Sequence, residues 1–242
     1  MGRDYSRIAP RKNMAKKEEV KKVKKEVFSF DQSKSYNIAE AIDLAKKANR
    51  AKFDASLEVH FRLGIDPKKG DQQVRGAVSL PNGTGKTVKV AAFVTPSKEK
   101  EVKAAGADYV GGEELIAEIK KTEKTDFQVA VAEPDMMKSL AQIAKILGTR
   151  GLMPSPKNDT VSANPAKAVE ELKKGKISFK NDDTSNVHAV LGKLSFDNAK
   201  LIENFNVFLE TIRRAKPNSS KGVFIKNVSI SSSMGAGVKV SI

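Results

Sequence analysis

Between residues 37 and 51 the apolar side chains Ile38, Ala41, Ile42, Leu44, Ala45 and Ala48 recur at helical spacing, and Lys or Arg closes the last turn. That spacing predicts one amphipathic helix. The pattern then switches to period two. Residues 57–63 alternate around Val59 and Phe61, residues 74–80 alternate again, and a Pro67 to Asp71 turn cluster separates them, so the two runs are expected to pair as strands. After the loop 81–85 the pattern becomes short apolar strands alternating with helices: strands at 88–94, 109–110 and 127–132, helices at 97–105, 113–120, 134–147 and 165–174. Gly106 ends the first of these helices, and Asn164-Pro165 caps the last. Strand and helix in alternation at these lengths predict a parallel, doubly wound sheet. Beyond Gly175 period two returns at 176–180, 187–194, 224–231 and 238–242. A long helix at 197–215 interrupts it, with the stripe Leu201, Ile202, Phe205, Phe208, Leu209 and Ile212.

An α+β pattern therefore lies on both sides of an α/β insert. The fold class expected is α/β and α+β in two domains: a discontinuous α+β domain built from 36–83 and 176–242, and an inserted three-layer, Rossmann-like α/β domain at 84–175. Gly-containing hinges near Gly83 and Gly175 would join them. Residues 1–35 form a basic arm. Through Glu26 it carries ten Lys or Arg against four acids, with too few apolar residues for a core. Contact with nucleic acid and a merely solvated tail are both open for it. Met14, followed by Ala-Lys-Lys, could itself be a start.

Charge changes the picture more than composition does. The 242 residues hold 44 Lys plus Arg against 29 Asp plus Glu, a net +15, and a field of that sign attracts polyanions. Nucleic acid is the leading ligand, ahead of anionic lipid. The excess is unevenly placed: residues 84–175 carry 15 basic and 13 acidic groups, while the remaining segments hold 29 and 16. The polyanion is expected on the discontinuous domain. Cysteine is absent, which excludes disulfides, zinc-thiolate sites, iron–sulfur clusters and cysteine nucleophiles and suits a reducing compartment. No apolar run approaches the ~20 residues of a membrane span, and the charged amino terminus lacks the apolar core of a secretory signal. A soluble, cytoplasmic protein without a membrane partner is expected.

Candidate chemistry is sparse. Gly83-Thr84-Gly85-Lys86-Thr87 invites a phosphate-loop reading, but the required first glycine is Leu80, and a strand pattern follows where a helix is needed. Residues 106–112 are glycine-rich without dinucleotide-binding spacing. His60 and His188, the only histidines, lie in strand patterns without metal-ligand spacing, so a packed or surface role is expected of them. Met136, Met137 and Met153 read as core or interface filling, and Glu113-Glu114 as first-turn acids favoured by the helix dipole. No enzyme, cofactor or metal is expected. Two segments stand out. Residues 51–56 set Phe53 beside Lys52 at a helix-to-strand junction, and residues 231–237 join two strands through hydroxyls, Met234 and glycines that let another backbone approach. Together they could offer stacking and hydroxyl contacts suited to the shallow minor groove of RNA.

At these residues the chain resembles the L-one family of ribosomal proteins, bacterial branch. The resemblance rests on AKFDAS (51–56), LGIDPKKGDQQVRGAVSLPNGTGK (63–86), GADYVGGEEL (106–115), ILGTRGLMPSPK (146–157) and SSSMG (231–235). It implies a structural, non-enzymatic constituent of the large ribosomal subunit, monomeric when free. Such a protein binds the rRNA junction of the mobile side stalk and assists departure of deacylated tRNA from the exit site. The alternative is a translational repressor binding the leader of its own messenger through the same surface. By resemblance, Lys52, Phe53 and Ser56 match an RNA-contacting segment, and Ser233, Met234 and Gly235 match a Thr-Met-Gly contact triplet in which Ser here replaces Thr. Asn181, Asp182 and Thr184 match a third contact turn, in which Asp183 and Ser185 differ from the usual Lys and Gly.

Overall fold

The computed structural model describes residues 30–31 and 33–242, so most of the basic arm lies outside the described residues. The first helix, α1 (Ile38–Lys47), starts where Asn37 accepts a hydrogen bond from the Ile38 amide at 2.7 Å. It buries Ala41, Ile42 and Ala45. β1 (Ser56–Leu63) follows. Later come β7 (Asn186–Lys193), helix α7 (Asn198–Arg214), β8 (Ile225–Ser232) and β9 (Val238–Val240). These strands form one antiparallel sheet in the order β7-β1-β8-β9. The alternation of β1 decides its two faces. Leu57, Val59, Phe61 and Leu63 are buried, while Glu58, His60 and Arg62 between them are not.

The buried face packs beneath helices. α7 lies on β7, and α1 packs against α7, β8 and β9. Phe61 stands between Phe205 and Phe208 of α7, with ring centroids 6.2 and 5.6 Å apart, and each fully buried ring contributes roughly 1.5–3 kcal/mol of transfer free energy. The α7 stripe is buried as its spacing predicts, except that Ile202 is only half-buried and Asn204 is fully buried. The opposite sheet face is open among the described residues, as antiparallel sheets permit.

The expected pairing of the first two period-two runs does not occur. β1 has both edges occupied by β7 and β8, so β2 (Arg75–Ser79) pairs antiparallel with β6 (Lys176–Lys180) in a separate two-stranded sheet. Just beyond that ladder the two connections to the α/β segment touch. A Cβ on Gly175, which has φ of 108°, would fall 2.5 Å from the Gly83 Cα. Asn204 fastens this crossing, since its side chain donates to the carbonyls of Gly83 (3.0 Å) and Leu191 (2.7 Å) and accepts from the Asn82 amide (3.2 Å).

The α/β segment holds a three-stranded parallel sheet, β4 (Tyr109–Gly111), β3 (Val90–Phe93) and β5 (Val129–Ala132), in that order. Both faces are covered. Phe93 and Ala91 meet a core with α3 (Glu113–Thr122) and the 134–149 region, and Val90, Ala92 and Val94 meet Val102 of α2 (Glu99–Ala104) and Val169 of α6 (Pro165–Lys173). This is the three-layer, doubly wound arrangement expected. The single helix predicted at 134–147 is instead broken into 3₁₀ turns at Pro134–Met136 and Ala141–Ile143 and short helices α4 (Met137–Leu140) and α5 (Ala144–Thr149). Met136, Leu140, Ile143 and Leu147 nevertheless all face one core. No helix among the described residues is long and apolar enough to cross a membrane.

Candidate nucleic-acid interface

One end of the four-stranded sheet carries two exposed apolar side chains. The segment after α1 is held in place by Asp54, whose carboxylate accepts from the Ser195 amide (3.2 Å) and hydroxyl (2.9 Å) and whose carbonyl accepts from Lys193 (2.9 Å). Lys52 and Phe53 are left in solvent, Phe53 at 62% exposure. Ser56 is buried, and its carbonyl accepts from the Ser233 amide at 3.0 Å and lies 3.3 Å from the Ser233 hydroxyl. That link brings the 51–56 and 233–235 segments to the same sheet end, where Met234 is 66% exposed. Gly235 serves its own turn first, since a Cβ there would overlap the Ser232 hydroxyl.

Asn181, Asp182 and Thr184 lie at the other end. Asn186 opposes Arg62 across the β7–β1 ladder, and the Leu63 amide donates to the Ser185 carbonyl. Six residues of β1 separate the two ends, about 20 Å at the rise of an extended strand. Asn181 is buried and structural: it accepts from the Val74 amide at 2.9 Å and donates to the Asp182 carbonyl at 3.1 Å. Asp182 organises the turn by accepting from the amides of Thr184 (3.0 Å) and Asn186 (2.6 Å) and from the Thr184 hydroxyl (2.7 Å). Partial burial works against its charge, but these hydrogen bonds outweigh it and hold the carboxyl at a pKa of about 2. Of the predicted site residues, only Lys52, Phe53, Thr184, Ser233 and Met234 are exposed.

Between the ends runs a polar strip that sequence reasoning did not assemble. On the open face, His60 of β1 sits opposite His188 of β7 and Ser229 of β8. The two Nδ1 atoms are 2.8 Å apart, and His60 Nε2 is 2.9 Å from the Ser231 hydroxyl. Burial, and secondly His188, push the His60 imidazole below its ordinary pKa, against the pull of Glu58. The signal for this strip was the alternation Asn227, Ser229, Ser231 against Val228, Ile230 in β8. The chain does show a match to a family model, that of the ribosomal protein L1p/L10e family, over residues 44–236. The chain belongs to this family. Its members are structural ribosomal proteins that bind rRNA, and it is not a family of enzymes.

For this family member, two features of the α/β segment that could suggest catalytic chemistry have structural explanations. At the carboxyl end of its parallel sheet, where such folds commonly take ligands, the buried Glu133 accepts from Lys98 (2.6 Å), the Thr95 hydroxyl (2.9 Å) and the Thr95 amide (3.2 Å). The Lys98 hydrogen bond holds its carboxyl below the usual range despite burial. After Gly83-Thr84-Gly85-Lys86-Thr87 the next element is strand β3, so the helix that a phosphate loop needs is missing. No cluster of three or more His or acidic groups suited to a metal ion occurs among the described residues.

Proposed function

We propose that this chain, of the bacterial type, binds the rRNA junction of the mobile side stalk of the large ribosomal subunit through the open face of the four-stranded sheet. The single observation that carries the reading is the placement of two exposed apolar side chains, Phe53 and Met234, at one end of an uncovered and largely polar sheet face. Exposed apolar groups that the fold does not need suit base stacking, and the hydroxyls and amides beside them suit the sugar edge of RNA. The contact set comprises Lys52, Phe53, Ser56, Ser233, Met234 and Gly235 at one end and Asn181, Asp182 and Thr184 at the other. Ser56, Asn181 and Gly235 act by shaping backbone.

In this reading the domain at 36–83 and 176–242 holds rRNA, and the inserted domain at 84–175 extends towards deacylated tRNA and assists its release from the exit site. The protein works in the cytoplasm on the ribosome and is monomeric when free. Any RNA folded like the stalk junction would fit the same face, so repression through the leader of its own messenger is the second use of this surface. The deciding experiment is a salt-titrated binding assay of the full chain with the stalk-junction RNA against generic duplex RNA. Preference for the stalk RNA that persists as salt rises is expected, because phosphate contacts alone are screened away. Equal affinity for both RNAs at every salt concentration would overturn the reading.

A further inference from the structure

Two hydrogen bonds and one longer contact with a carboxylate line up on the open face. His188 Nε2 stands 3.5 Å from Asp182 Oδ2, the two Nδ1 atoms are 2.8 Å apart, and His60 Nε2 is 2.9 Å from Ser231 Oγ. Two facing Nδ1 atoms can share only one proton, so the imidazoles must be of opposite tautomers. The anion at Asp182 chooses which. A carboxylate facing His188 Nε2 places the proton on that nitrogen, which leaves His188 Nδ1 bare. His188 Nδ1 then accepts from His60 Nδ1–H, and His60 Nε2 is left bare in turn. Ser231 must therefore donate its hydroxyl proton inward.

The next outward hydroxyl on this strand points the same way. Ser233 Oγ lies 3.1 Å from the Glu58 carboxylate and 3.3 Å from the Ser56 carbonyl, both of which can only accept. Two neighbouring serines thus turn lone pairs, not protons, towards solvent. Resting on the functional reading above, we propose that Ser231 is a specificity-determining acceptor, and that the donor it takes is a 2′-hydroxyl of the bound RNA. Within the sugar–phosphate backbone the 2′-hydroxyl is the only donor, whereas a phosphate oxygen would meet the serine lone pairs unfavourably. The same arrangement rejects a deoxyribose strand, which lacks that proton.

The chain direction is testable on the free protein. Imidazole ¹⁵N shifts of the full chain at neutral pH should show His60 protonated at Nδ1 and His188 at Nε2, and the reverse pair of tautomers would overturn the proposal. Binding tests the ligand. Stalk-junction RNAs carrying single 2′-deoxy substitutions are titrated against the wild type and against Ser231→Ala, with melting curves confirming that the variant is folded. At least one position should weaken wild-type binding about fivefold, the size of one net hydrogen bond, and have no further effect on Ser231→Ala. Absence of any such coupled position, with preference for the unsubstituted stalk RNA intact, would sink this inference alone. Loss of that preference in the wild type would sink the functional reading with it.

Discussion

The two larger sheets of this protein handle polar groups in opposite ways. In the parallel sheet both faces are covered, and the buried Glu133 is matched by Lys98 and Thr95 inside the fold. In the antiparallel sheet one face is uncovered, and the carboxylates of Asp182 and Glu58 anchor short chains that end at serine oxygens facing water. Both sheets place charge beside hydroxyls. On the reading proposed above, the second also turns serine acceptors towards solvent, a difference that a count of polar residues does not reveal and a trace of where each proton goes does.

The largest test of this contrast is Glu133→Ala. Breaking a buried ion pair costs about 3–5 kcal/mol, but the Lys98 ammonium is partly exposed, so a loss of about 2 kcal/mol is expected. Thermal melting measures it, and RNA affinity of the folded variant should not change. If affinity fell with stability intact, the parallel sheet would be part of the RNA surface and the contrast would fail.

Phe53→Ala makes the reverse claim. An exposed ring adds little to the core, so the melting temperature should hold while affinity for stalk RNA drops about tenfold, within the range for loss of one stacked base. Unchanged affinity would move the stacking role to Met234.

Ser232→Ala sharpens the boundary between the faces. Its hydroxyl is buried on the helix side with no hydrogen-bond partner among the described residues, next to Gly235. Removing it should stabilise the protein by up to ~1 kcal/mol, seen as a rise in denaturant midpoint. A fall would mean that the hydroxyl is satisfied by a bound water.

The smallest effect expected is a pH dependence. His60 titrates below its ordinary 6.5 in the folded chain, so folding favours the neutral ring. The stability this contributes is complete above pH 6.5 and is lost as pH falls from there through the lowered folded value. The charged neighbours are Glu58 and Arg62 on the same strand, Asp182 before β7, and Lys239 across Ser229 on β9. Melting the wild type and His60→Phe between pH 8 and pH 5 checks the sign: the variant should lose part of the acid-side slope, and an unchanged slope would assign it elsewhere.

Much of the fold was legible because local pattern and burial coincide. The helical stripe of α7 and the alternation of β1 and β8 each fix a face without reference to partners. Pairing was not legible. The runs at 57–63 and 74–80 look like a hairpin, and only the completed sheet, with β7 and β8 on both edges of β1, rules it out. The breaks at 134–149 were not legible either, since Met136, Leu140, Ile143 and Leu147 keep the apolar spacing of one helix. Phe53 and Met234 stood out as apolar residues in polar loops. His60 and His188 did not, and Ser231 stood out only as part of its loop, because their alliance spans three strands distant in sequence; Asn204 hides in an apolar stripe.

The strand order also sets a timetable. β1 is made early, yet both of its neighbours lie in the last quarter of the chain, whereas everything the parallel sheet needs precedes Gly175. A chain emerging from its amino terminus can close the parallel sheet while β1 still waits with both edges bare. Pulse-labelled hydrogen exchange during refolding should accordingly protect the amide of Val131 before that of Val59. The face that carries the directed hydroxyls is therefore finished last, after the parallel sheet has closed.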